Sequence, residues 1–183
     1  MQSGKVGSIL TLSMFMALSG ILGAPSARAE DSKDAQALID ALGNSKLSLL
    51  DGVRQAASGG AVPISAKFEL EDGKLSLSVY TAEKGLSVSP EKNVLEELSG
   101  SPEEAKWTPK IEVFKDVPHV ARSSEQLTLM ALGKSSLADM IARVQKTQSG
   151  TVFSVTPVIR NHKPAAEVLV ADRGKVKKLI QPL

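Results

Sequence analysis

The 183-residue chain contains no cysteine, which excludes disulfides, thiolate zinc sites, iron–sulfur clusters and a cysteine nucleophile. Histidine is scarce as well. His119 and His162 are the only two, so a metal site built mainly from imidazoles is implausible. Aromatic residues make up 3% of the chain; Tyr80, Trp107 and Phe114 are too few for a base- or sugar-stacking platform and read as core. The formal charge is +2, and without a basic excess there is no general face for nucleic-acid phosphates. What remains, 42% hydrophobic and 23% charged residues, is a globular composition.

The N-terminus carries the clearest positive signal. Lys5 is the only charge ahead of an apolar stretch from about Ile9 to Leu22, and Ala27-Arg28-Ala29 follows. A positive start, a short apolar run and an A-x-A site predict a secretory signal peptide over residues 1–29, cut after Ala29. The run includes Ser13, Ser19 and Gly20 and falls short of the ~20 residues that span a bilayer. No later stretch is long or apolar enough to span, and without cysteine there is no lipidated N-terminus. The expected product begins at Glu30 and is exported to a bacterial periplasm or extracellular space. It has as many acids as bases, distributed unevenly. Residues 30–104 carry 14 acids and 7 bases, whereas residues 105–183 carry 6 acids and 13 bases.

Self-similarity at an offset of 88 to 90 residues suggests an internal repeat. Ala41-Leu42-Gly43 and the following Leu47-Ser48-Leu49-Leu50-Asp51 resemble Ala131-Leu132-Gly133 and Ser136-Leu137-Ala138-Asp139. Val79 to Gly85 aligns with Val168 to Gly174. Alternating Ile64, Ala66, Phe68 and Leu70 fall on Phe153, Val155, Pro157 and Ile159, the period-two pattern of half-buried strands. Asp72-Gly73 is a strong two-residue hairpin signal, and Asn161-His162 is its weaker counterpart. Second strands are expected at Leu75–Val79 and Pro164–Val168, with short third strands at Leu86–Val88 and Val176–Ile180. Helices are expected at Ala35–Leu42, Leu47–Ala57, Glu125–Leu132 and Leu137–Lys146.

The expected fold is α+β: two copies of a helix–helix plus three-stranded antiparallel meander unit, at 30–88 and 122–183. Between them lies a structured connector over 89–121. Its Ser89-Pro90-Glu91 and Ser101-Pro102-Glu103 signatures predict short helices at Pro90–Leu98 and Pro102–Trp107. Lys110–Phe114 alternates as an edge strand would.

A helix led by Leu-Ser-Leu-Leu-Asp, an alternating strand, Asp72-Gly73-Lys74 and a second strand ending near Tyr80 resemble the PepSY domain. Ser136-Leu137-Ala138-Asp139, Gly150, Asn161-His162-Lys163 and Val168–Gly174 are the matching pieces of a second copy. The resemblance implies a tandem PepSY-like protein exported by bacteria, a family associated with inhibiting or chaperoning peptidases. No peptidase domain is expected within these 183 residues.

Catalytic signatures are missing. There is no G-x-S-x-G elbow, His-Glu-x-x-His, Walker A loop or dinucleotide glycine fingerprint. Both histidines read as loop residues, Glu96-Glu97 and Glu103-Glu104 as solvated faces, and Glu69, Glu71 and Asp72 as an acidic hairpin without calcium-loop spacing. No catalytic, cofactor or metal residue is assigned. The sharpest charge feature, Arg173, Lys175, Lys177 and Lys178, is the candidate binding surface. It is expected to meet the chain's own acidic half, an acidic partner or anionic lipid headgroups. The expected function is a non-enzymatic module binding a protein or peptide, a peptidase being the natural partner. A structural or assembly factor of the cell envelope is the alternative.

Overall fold

The structure, a computed structural model, describes residues 25–104 and 106–183, with side chains from Lys33 onward. The apolar run expected as the core of a signal peptide lies outside the described residues. The described part begins with α1 (Pro25–Leu42), which continues through the expected cleavage point at Ala29. Then follow α2 (Leu49–Ala56), α3 (Val117–Leu132) and α4 (Leu137–Thr147). The Leu-Ser-Leu-Leu-Asp motif is a helix start. Ser48 Oγ accepts from the Asp51 N–H at 3.1 Å while donating to its carboxylate at 2.6 Å. Ser136 and Asp139 do the same for α4 at 3.1 and 2.7 Å. Each pair satisfies an orphan donor of the first turn and places a carboxylate at the positive end of the helix dipole.

Seven strands form one antiparallel sheet. They are β1 (Val62–Glu71), β2 (Lys74–Ala82), β3 (Leu95–Gly100), β4 (Lys110–Val113), β5 (Thr151–Arg160), β6 (Lys163–Asp172) and β7 (Lys175–Pro182), in the spatial order β4-β3-β2-β1-β5-β6-β7. Three hairpins close with two-residue turns whose residues all have positive φ: Asp72-Gly73, Asn161-His162 and Arg173-Gly174. Paired left-handed residues match the twist of the flanking strands, which is why Asp-Gly and Asn-His mark two of these turns in the sequence.

The expectation of two repeated units, each of two helices and a three-stranded meander, joined by a helical connector is overturned by this single sheet. The α+β content stands, but the connector supplies two of the strands. Leu86–Val88, expected as a strand, is a turn. Pro90–Lys92 forms only one turn of 3₁₀ helix before the chain straightens into β3, and no helix forms at Pro102–Trp107 among the described residues. The Asn93 side chain explains the interruption. Its amide nitrogen donates to the carbonyls of Gly85 and Val88 at 2.8 and 3.1 Å, and its oxygen accepts from the Lys84 N–H at 3.0 Å. With the chain tied there, Leu95–Gly100 pairs along β2 from Ala82 to Leu77. Satisfying the backbone of an otherwise open strand overrides the helical propensity of Leu-Glu-Glu-Leu. The edge strand expected at Lys110–Phe114 is present as β4, paired with β3.

The two faces of the sheet are covered differently. Gly52 of α2 lies against the Leu77 side chain so closely that no Cβ would fit, which places α2 on the face of Phe68, Leu75, Leu77 and Val79. The α4 helix packs beside it. Leu49, Ile64, Leu77, Val79, Met140, Ile141, Val155 and Val168 are fully buried there or in continuity with it. On the other face stand Lys67, Glu69, Ser78 and Tyr80. The Tyr80 ring meets Phe114 at 5.8 Å, and Phe114 stacks on His119 of α3 at 5.1 Å. That chain of rings sets α3 on this second face, and its buried Ser123 and Gln126 suit the polar strand positions beneath. Trp107 is buried, as its scarcity suggests, and donates to the Gly100 carbonyl at 3.3 Å.

Candidate functional site

The four candidate residues come together at one corner of the sheet. Arg173 occupies the β6–β7 turn, and Lys175, Lys177 and Lys178 lie on β7, which is an edge strand. Positive φ at Arg173 (50°) and Gly174 (72°) produces the tight turn. It leaves the Arg173 side chain 87% exposed.

Intramolecular pairing is present, but not with the acidic half of the chain. Lys177 Nζ lies 2.5 Å from Asp172 Oδ2, and Arg173 Nε lies 3.7 Å from Oδ1 of the same carboxylate. Ser149 donates to Asp172 at 3.0 Å. On the opposite face, Lys178 Nζ lies 3.0 Å from Glu167 Oε2, which also accepts from Arg160 at 3.3 Å. Both acids belong to the neighbouring strand β6. The hydrogen bond from Lys177, followed by that from Ser149, holds the Asp172 carboxyl below the usual carboxylate range. The acidic residues Glu96 and Glu97 stand on β3, at the other end of the strand order from β7. The ion pairs of Lys177, Arg173 and Lys178 are therefore made within the basic half of the chain, between β7, its turn and β6.

Geometry also says which backbone groups the corner offers. Asp172 and Lys175 are the closing pair of the two-residue turn, a position where both residues bond each other. Alternation along an antiparallel ladder then turns the N–H and C=O of Lys175, Lys177, Leu179 and Gln181 towards β6. Leu183 continues that phase, donating to the Pro164 carbonyl at 3.5 Å. Val176, Lys178, Ile180 and Pro182 face outward, where no strand of the sheet lies. Val176 and Ile180 are each 43% exposed. These outward groups were not apparent from the sequence, although a lysine-rich strand ending in proline is a usual edge signature.

The histidines are not gathered into a site. His119 sits in the first turn of α3, where Asp116 Oδ2 accepts from its backbone N–H at 3.2 Å and lies 2.7 Å from its Nδ1. That contact, led by the side-chain hydrogen bond, keeps the Asp116 carboxyl below its ordinary range. A helix cap and a stacking partner account for His119, while His162 is half of the β5–β6 turn. Among the described residues no cluster of three or more metal-ligating side chains occurs. Tyr80 is held protonated by burial, with Glu97 and Glu69 nearby adding to the effect.

Two open grooves accompany the sheet. One runs between α3 and β5, lined by Arg122, Glu125, Gln126 and residues 156–160; the other lies beside Glu71, Ser76 and Gly100. The first holds a buried polar atom without a hydrogen-bond partner among the described residues, Gln126 Oε1, and in the second Ser76 lies beside the Glu71 carboxyl.

Comparisons of the chain with protein-family models, curated proteins and solved structures gave no match.

Proposed function

We propose that this chain is an exported, non-enzymatic module that binds a protein or peptide partner by accepting an extended segment along β7. The observation that carries this reading is the outward backbone of Val176, Lys178 and Ile180, three residues whose donors and acceptors have no strand beside them among the described residues. Strand addition at such an edge gains affinity from main-chain hydrogen bonds and specificity from alternate side chains. The PepSY resemblance suggests a peptidase as the partner.

Export is supported by the charged start, apolar run and A-x-A site within residues 1–29. Cleavage after Ala29 would remove the first turn of α1 and leave Glu30, Asp31 and Asp34 at its new start, where carboxylates favour the helix dipole. Among the described residues no helix is long and apolar enough to cross a membrane.

Affinity capture from the cell envelope tests the reading, with the mature chain run beside Val176→Pro. Proline removes one outward N–H and leaves the bonds to β6 in place. A partner retained by the parent and lost by the variant supports strand addition; equal retention by both would refute it. A partner lost with Val176→Pro but without influence on proteolysis would make the chain an assembly factor and not a peptidase modulator.

A further inference from the structure

We infer that the segment accepted by β7 alternates acidic with apolar side chains. The inference rests on the strand-addition reading and names the chemistry of its partner.

Charge gives the first half of the argument. From Lys163 to Pro182 the β6–β7 hairpin contains five cations, Lys163, Arg173, Lys175, Lys177 and Lys178, against two acids, Glu167 and Asp172. Both acids are already engaged, Asp172 by Lys177, Arg173 and Ser149, and Glu167 by Lys178 and Arg160. Lys175 is exposed and enters no ion pair among the described residues, and Arg173 reaches Asp172 only at 3.7 Å. Two cations at the corner are thus weakly compensated or uncompensated.

Strand geometry supplies the second half. Side chains alternate between faces along a strand. Lys175 and Lys177 project on the face shared with Asp172. Val176 and Ile180 project on the opposite face, with Lys178 between them. A strand laid alongside β7 would therefore meet cations on one face opposite Lys175 and Lys177, and exposed aliphatic surface on the other opposite Val176 and Ile180. Acids in the first register and apolar residues in the second complement the edge on both faces at once. The reverse register would place apolar groups against ammonium groups. A strand carrying Lys or Arg would repel Lys175 and Lys177. A second copy of this chain fits less well, because its open edge β4 carries Lys110 alongside Glu112 on one face.

The test uses the mature chain and three capped six-residue peptides: Glu and Val alternating, three Glu followed by three Val, and Lys and Val alternating. Binding is read by fluorescence anisotropy, and oligomeric state by sedimentation. The alternating Glu–Val peptide is expected to bind about tenfold more tightly than either of the others. Lys175→Glu, at an exposed residue whose side chain enters no ion pair among the described residues, should narrow or invert the preference between Glu–Val and Lys–Val. Equal binding of the blocked Glu–Val peptide would overturn the inference by showing a diffuse charge patch. Equal binding of Lys–Val, still lost in Val176→Pro, would overturn the acidic chemistry and leave strand addition standing. Glu–Val binding undiminished by Val176→Pro would overturn strand addition itself. Self-association through this edge, or binding only to vesicles of anionic phospholipid, would overturn the inference by naming a different occupant.

Discussion

Ala66 stands opposite Val155 in the register that joins β1 to β5, and with Lys67 opposite Ser154 it makes up the whole of the register between those strands. Every other neighbouring pair of strands shares at least four register positions. The sheet is therefore narrowest in connection at its centre. Ser65 reinforces that seam from a buried position, its hydroxyl donating to the Val155 carbonyl at 3.2 Å.

Ser65→Ala should therefore lower stability by about 1 kcal/mol, the usual net worth of one such bond. Chemical denaturation measures it. An unchanged midpoint would show that the hydroxyl adds nothing to the seam.

Two glycines with positive φ should respond unequally to alanine. Gly174 has φ of +72° with open space where a Cβ would go, so Gly174→Ala should cost only the left-handed penalty of about 1–2 kcal/mol. Gly150 has φ of +99° and lies against the Ala171 carbonyl. Gly150→Ala must shift backbone as well, and its thermal midpoint should fall clearly further than that of Gly174→Ala.

Gly52 and Leu77 should be coupled. Gly52→Ala alone drives a methyl into the Leu77 side chain, and overpacking of this kind costs about 1–3 kcal/mol. Leu77→Ala alone opens a cavity at a fully buried position, costing about 2–5 kcal/mol. The double variant should be more stable than the sum of the two effects predicts, because the new methyl occupies vacated space. Additive losses in a denaturation cycle would contradict the contact.

Asp172 should make the hairpin acid-sensitive. Its carboxyl is held below the ordinary range by Lys177 and then Ser149. The stabilisation is complete at neutral pH and disappears as pH falls through that depressed value. Asp172→Asn should be less stable than the parent at neutral pH, with the difference closing in strong acid and shrinking in high salt. Thermal melting across pH checks this, and a gap that persisted in acid would point to packing instead of charge.

Local signals in the sequence were readable where one short segment decides the outcome. The helices expected at Leu47–Ala57 and Leu137–Lys146 form as Leu49–Ala56 and Leu137–Thr147, and Asp72-Gly73 and Asn161-His162 turn where expected. The failure came where a distant partner decides. Leu95–Gly100 has helical composition, yet β2 presents an edge from Leu77 to Ala82 that only an extended chain can satisfy. Nothing within residues 89–100 reveals that edge. The pairing of β1 with β5 is likewise non-local, and it turns two expected meanders into one sheet. The basic cluster was legible as charge. Its partners were not, since Asp172 and Glu167 meet Lys177 and Lys178 only once β6 and β7 pair.

Pro182 gives this edge a stop. It falls in the outward series after Val176, Lys178 and Ile180, and proline has no N–H to offer there. An incoming chain loses a donor at that point, so the length it can zip along β7 is capped at about six residues by the strand's own spacing. The same missing donor discourages the indefinite stacking by which exposed β-edges grow into fibrils. Replacing one imino acid with an ordinary residue would lengthen the available edge and weaken its safeguard against runaway assembly.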